Sequence, residues 1–206
     1  MANAKEPMLL LDLTGSMNYG VTRLNPTPRH TVLHDAVKIF VQKLSEADTA
    51  GEDEEGGGGV RTIGFAHTPR NPQGYVDLED LNPNNFESHW SQLRFNGSTH
   101  IRPGFEQILT VYNGEFGQED PPPDIALVIA TDGVLEDQGW FEDKLGHLPA
   151  NMSVEIVVVG DGDDNTGVVH EYQSIAARSG DKVHVTSAVG TVDANQLAGH
   201  LLQAVS

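Results

Sequence analysis

Four short apolar runs set the frame for this chain: PMLLLDL at 7–13, VRTIGFA at 60–66, DIALVIAT at 124–131 and SVEIVVV at 153–159. Each is bounded by turn-forming residues and is apolar at successive rather than alternate positions. A strand takes that pattern when both of its faces are covered, as in a parallel sheet between layers of helices. A shorter run, KVHVTS at 182–187, alternates, and GYVDLED at 74–80 reads as an edge strand.

Helical spacings fill the intervals. TPRHTVLHDAVKIFVQKLSEA offers Thr27 as a cap and Pro28 as the first helical residue. Its apolar stripe is Leu33, Ala36, Val37, Phe40, Val41 and Leu44. Phe86, Trp90 and Leu93 mark a short helix; Phe105, Ile108, Leu109 and Tyr112 mark a longer one. Others are expected over Trp140–Leu148, around Val169, Tyr172, Ile175 and Ala176, and from Asp193 through Leu197, Leu201 and Val205. Strands alternating with helices at these lengths predict an α/β fold. The expectation is a Rossmann-like, doubly wound, mostly parallel sheet of about six strands, with one antiparallel edge strand and helices on both faces.

A chain of 206 residues suits one domain over 1–206 and buries about 70% of its unfolded surface without staples. That agrees with a cysteine count of zero, which excludes disulfides, thiolate zinc sites, iron–sulfur clusters and thiol catalysis. The start, MANAKEP, is polar and unlike a signal peptide, and no apolar run approaches the length of a membrane span. The expectation is a cytoplasmic protein. A net charge of −18 repels phosphate backbones and anionic lipid, so neither nucleic acid binding nor direct membrane insertion is expected. The stretch TAGEDEEGGGG at 49–59 reads as an acidic, glycine-rich surface loop.

In an open parallel sheet, functional groups gather beyond the carboxyl ends of the strands. Asp12 ends the first apolar run and Asp132 ends the third. In DLTGS, alternation places Asp12, Thr14 and Ser16 on one side of a turn that Gly15 is expected to make tight. These are hard oxygen donors, suited to Mg²⁺ or Mn²⁺, with Ca²⁺ admissible and Zn²⁺ disfavoured.

DLTGSM resembles the D-x-S-x-S signature of von Willebrand factor A domains, which opens their metal-ion-dependent adhesion site. NGSTHIRPGFEQIL resembles the family's threonine loop and supplies Thr99; IATDG resembles its T-D-G turn and supplies Asp132. VEIVVVGDGDDN and the stretch SIAARSGDKVHV resemble the family's later strands and the helix between them. The likeness covers nearly the whole chain. It departs at Thr14, where the family has serine, and at Ser98, where a second glycine is common. It implies a metal bound by Asp12, Thr14, Ser16, Thr99 and Asp132, directly or through water, with one coordination position completed by a partner's Asp or Glu. The implied function is a metal-dependent protein-binding module for adhesion or scaffolding, not an enzyme. Asn18, Tyr19 and His100 are the expected rim of partner contacts.

Blander readings apply to each piece taken alone. Asp12 would cap a turn, Thr99 would cap the helix near Pro103, and Asp132 would make an Asp-Gly turn. His30 and His34 are four apart, but position 31 is Thr31 where a zinc-protease motif needs Glu, so an exposed helix face is expected. Asp161, Asp163 and Asn165 in DGDDN offer at most a weak accessory cation site, because Thr166 and Tyr172 stand where a calcium loop needs Gly and Glu. The rival function is a metal-dependent phosphohydrolase of haloacid-dehalogenase-like type. That chemistry needs an acid two residues after its nucleophile, and Thr14 stands there; its lysine would have to be Lys144.

Overall fold

The computed structural model describes residues 5–21, 26–49, 59–160, 162–189 and 193–206, with side chains throughout these except at 48–49, 162–166 and 187–189. Strands β1 (Glu6–Asp12), β2 (Val60–Phe65), β3 (Tyr75–Leu81), β4 (Ile125–Thr131), β5 (Met152–Gly160) and β6 (Val183–Val189) form one sheet. Their spatial order is β3-β2-β1-β4-β5-β6, and every pairing is parallel except that of β2 with β3. The order runs backward from β1 to β3 and forward from β4 to β6. The switch point therefore lies between β1 and β4, where the loops leaving their carboxyl ends diverge.

The helices are α1 (Arg29–Thr49), α2 (Phe86–Trp90), α3 (Arg102–Glu115), α4 (Gln138–Leu145), α5 (Gly162–Ser179) and α6 (Ala194–Val205). The pleat divides β1 between two cores. Leu9 and Leu11 join Phe40 of α1, Phe86 of α2 and Leu201 of α6, while Met8 and Leu10 join Phe105 of α3, Phe141 of α4 and Ile175 of α5. All seven residues of β4 are buried, as a central strand covered on both faces requires. No described helix is long and apolar enough to cross a membrane.

Local departures from the sequence reading have physical causes. The first long helix starts at Arg29, one residue after Pro28, whose carbonyl accepts from Thr31 and Val32. Edge strand β3 does not alternate: Leu78 and Leu81, three apart, both face the core. A register shift between Arg61 and Ile63, with Glu79 at φ 55°, inserts the extra residue that turns Leu81 inward. The helix expected from Trp140 begins earlier, at Gln138. His30 and His34 are half-buried rather than on an exposed face: His30 stacks on Phe95 at 4.6 Å, and His34 bonds Asp35 and Glu87. Residues 50–58 of the acidic loop lie outside the described residues.

Candidate functional site

Strand β1 delivers Asp12, and strand β4 delivers Thr131 and then Asp132, to the two sides of the switch point. The backbone leaves them little freedom, since Leu11 is paired with Ala130 in the ladder. Asp12 is 0% exposed and Asp132 2%. Two carboxylates in so little water need donors, and each oxygen has one. Asp12 accepts from the Thr14 amide at 2.8 Å and from the Thr131 hydroxyl at 2.7 Å. Asp132 accepts from the Ser16 hydroxyl at 2.7 Å and from Arg29 Nη1 at 2.7 Å. Thr14 Oγ1 and Ser16 Oγ lie 3.1 Å apart, so Thr14, Ser16 and Asp132 form one chain of oxygens.

After β1 the chain makes a short 3₁₀ turn over Gly15–Asn18. That turn brings the Thr14 and Ser16 hydroxyls together. Gly15 has no positive φ, and a Cβ there would meet nothing closer than Gly97 O at 3.9 Å. The tightness of the turn therefore does not depend on glycine at that position, contrary to the expectation from sequence.

Thr99 reaches the same region by its backbone. Its amide donates to Glu136 Oε1 at 3.1 Å, its carbonyl accepts from the Glu136 amide at 2.9 Å, and Glu136 follows Asp132 by four residues. On the other side, Asn96 N donates to Leu13 O at 2.8 Å and Gly15 N to Gly97 O at 3.4 Å. The threonine loop is thus clamped between the loops that carry Ser16 and Asp132. Among the described residues, the Thr99 hydroxyl itself has no hydrogen-bond partner. Nor does Thr99 cap α3, whose N-cap is Ile101; the Asp137 carboxylate takes the orphan amides of Ile101 and Arg102 at 3.0 and 2.8 Å.

Gly97 is the glycine this loop requires. It sits at φ +92°, and a Cβ there would lie 2.4 Å from His67 O and 2.5 Å from Thr68 Cγ2. Positive φ and backbone crowding act together, so Gly97→Ala should destabilise the fold by roughly 2–3 kcal/mol. Urea unfolding checks this; an unchanged midpoint would mean that the loop rearranges freely.

The expected rim residues divide. Tyr19 is 68% exposed and unencumbered by packing. Asn18 is exposed, but its amide nitrogen ties the turn to Phe95 O at 2.7 Å and Gly15 O at 3.2 Å. His100 Nδ1 lies 2.9 Å from Ser98 Oγ and 3.7 Å from Glu136. Of the suggested accessory cation residues, Asp161 and the side chains of Asp163 and Asn165 lie outside the described residues; the backbone from Gly162 onward is helical.

Four residues join the site that the sequence reading did not single out for it. Thr131 holds Asp12. Glu136 and Asp137 clamp the threonine loop and α3. Arg29, 8% exposed, pairs with Asp132. Only Arg29 carries a local signal: a cation in the first turn of a helix opposes the helix dipole and implies an anion nearby. Tyr172 of α5 adds support, its hydroxyl donating to Gly133 O at 2.8 Å. Burial first, and the Asp12 carboxylate second, push that phenol above its ordinary pKa.

Burial, and then the Asp132 carboxylate, also push Asp12 up to about 6 from 3.8. The hydrogen bonds to Thr14 and Thr131 pull the other way without overcoming the burial. Arg29 offsets one negative charge and the second lacks a counter-ion in the described structure. Among the described residues no group of three or more His, Cys, Asp or Glu could hold a metal. A cation here must therefore use hydroxyls beside the two carboxylates, a donor set that fits Mg²⁺ or Mn²⁺.

No protein-family model matches the sequence, and no curated protein matches it. Solved structures do. The SpRpn10 VWA domain is 15% identical with a TM-score of 0.63, covering 97% of this chain and 95% of that one. A von Willebrand factor type A protein from Catenulispora acidiphila is 14% identical with a TM-score of 0.57, covering 100% of this chain and 43% of that one. An aerotolerance-related membrane protein from Bacteroides fragilis is 14% identical with a TM-score of 0.56, covering 98% of each chain. At such identities the likeness is one of fold.

Proposed function

From a chain with the von Willebrand factor A fold, we propose a protein-interaction module whose binding centre is a divalent cation, Mg²⁺ or Mn²⁺, at the β1–β4 switch point. Thr14, Ser16 and Thr99 are the hydroxyl donors, and Asp12 and Asp132 act directly or through water. The bound ion supplies an electrophilic position that a partner's Asp or Glu completes. The chain's own residues set the geometry: Asp132 accepts the hydrogen bond of the Ser16 hydroxyl and so leaves that oxygen free to act as an acceptor, Thr131 fixes Asp12, and Glu136 holds Thr99. Tyr19, Asn18 and His100 form the surrounding rim.

One observation carries this reading. Two buried carboxylates and two hydroxyls converge on one point at the end of the sheet, one carboxylate being held near a pKa of 6 by its burial and its like-charged neighbour. The phosphohydrolase alternative gains nothing from the geometry. Asp12 is 0% exposed, which leaves no approach for a phosphorus to its carboxylate, and Lys144 lies over the Trp140 ring at 5.9 Å.

A thermal-shift titration with Mg²⁺, Mn²⁺ and Ca²⁺ tests the centre. At a hundredfold excess over Kd the gain is about 2.7 kcal/mol, which for a chain of this size raises Tm by roughly 5–10 °C. Ser16→Ala should abolish most of that rise. A wild-type protein indifferent to all three ions would remove the cation from the function.

A further inference from the structure

We infer that Arg29 is a built-in counter-cation of this site, which weakens its hold on a divalent ion and lets the site stand folded without one. The inference rests on the cation reading above and adds a residue that lies outside the motif set. Arg29 is the first residue of α1, and its amide donates to Tyr19 O at 3.0 Å, which fixes its start against the first loop. Its side chain is only 10% exposed and that of Asp132 0%, so their 2.7 Å contact is an ion pair largely out of water.

The hydrogen bonding of Arg29 shows what the pocket uses it for. Among the described residues its buried Nε has no partner, an unfavourable arrangement by itself. The feature the site uses is the charge, delivered by Nη1 to Asp132 Oδ2, the oxygen that does not serve Ser16.

Counting charges gives the consequence. Among the buried groups of the site, Asp12 and Asp132 ionised carry minus two, and Arg29 brings the sum to minus one. A divalent ion would then leave the site at plus one, whereas without Arg29 it would leave it neutral. Arg29 therefore lowers cation affinity by like-charge repulsion and raises the pull of the loaded site on an incoming carboxylate. In the absence of any ion it keeps one buried aspartate compensated, so the fold does not depend on metal.

The test is direct Mn²⁺ binding, by calorimetry and by the loss of the free-ion paramagnetic signal, for wild type, Arg29→Gln and Arg29→Lys. Arg29→Gln should bind Mn²⁺ on the order of ten- to a hundredfold more tightly, as expected for removing a like charge a few ångströms away in a partly buried site. Arg29→Lys, which keeps the charge, should stay close to wild type. In chelator, Arg29→Gln should melt below wild type and recover more than wild type does when Mn²⁺ is added. Equal Mn²⁺ affinity in wild type and Arg29→Gln overturns the inference and leaves the cation reading intact. Failure of both to bind Mn²⁺ overturns both. Binding by Arg29→Gln alone upholds the counter-cation role and removes the metal from the native function. An Arg29→Gln protein that Mn²⁺ cannot restore to the folded state also overturns the inference, because the ion could not then stand in for the guanidinium.

Discussion

Asp132→Ala should lower folding stability by about 3–5 kcal/mol, measured in chelator so that no cation takes part. The loss comes from what the substitution leaves behind. Arg29 would keep its guanidinium in a pocket where the side chain is 10% exposed, with Nε unpartnered among the described residues and Nη1 now without its carboxylate. A buried charge stripped of its partner is far more damaging than the pair was stabilising. Ser16 Oγ loses its acceptor as well, which adds a smaller amount. For a chain of this size the change corresponds to a fall in Tm of roughly 10 °C.

A double-mutant cycle separates this account from simple loss of packing. Arg29→Met combined with Asp132→Ala removes both charges and fills part of the space, and buried ion pairs replaced by apolar groups are often neutral in stability. The double variant should therefore be more stable than Asp132→Ala alone. A single-variant loss below about 1 kcal/mol, the range of exposed pairs, would show that Arg29 reaches solvent and is not committed to Asp132. A purely coordinating aspartate would leave stability in chelator nearly untouched, so this experiment reads the structural role of Asp132 independently of any metal.

How much of this was legible beforehand follows from where each signal resides. The central strands were plain in the sequence because burial on both faces imposes unbroken apolar runs, and β4, with all seven residues buried, is the extreme case. The positions of Asp12 and Asp132 followed, since a carboxylate ending such a run has one place to go. The von Willebrand factor A likeness, read from three short motifs, agrees with the fold that the solved structures share. Edge strand β3 was harder: its bulge breaks the period-2 pattern, so Leu78 and Leu81 do not announce one face.

The supporting residues were illegible for a different reason. Arg29 meets Asp132 across 103 positions of sequence, and Thr131 meets Asp12 across 119. The place of Arg29 in the first turn of α1 calls for an anion without saying which, and nothing local calls for Thr131; the packing of α1 on the sheet and the order of its strands select the partners. Glu136 and Asp137 look like ordinary acids in a strongly acidic chain, yet one holds both backbone groups of Thr99 and the other caps α3. Residues that carry ligands sit where strands end, whereas residues that orient them come from whatever element the topology places alongside.

The titration of Asp12 provides the second large effect. Its folded pKa of about 6 lies above the 3.8 of the free group, so the native state favours the protonated acid. For such a group the sign is opposite to that of an ordinary salt-bridged carboxylate. Its contribution to stability is fully present below about pH 4, falls as pH rises toward 6, and is lost above that. The displacement amounts to roughly 3 kcal/mol. Other carboxylates titrate in the same window, so the prediction concerns the difference between wild type and Asp12→Asn. In chelator, Asp12→Asn should gain on wild type by about 2–3 kcal/mol between pH 4 and pH 7, read from urea midpoints across that range. A difference that does not vary with pH would mean that Asp12 titrates as an exposed acid and that its burial is not maintained in solution. Under the cation reading, Mg²⁺ has the complementary effect: a divalent charge beside Asp12 favours its ionised form, so saturating Mg²⁺ should flatten the wild-type pH dependence, and binding below pH 6 should release a proton. The pH at which Mg²⁺ binding weakens thus reports the same carboxyl group as the pH at which the ion-free protein gains stability, and agreement between the two midpoints would place the ion against Asp12.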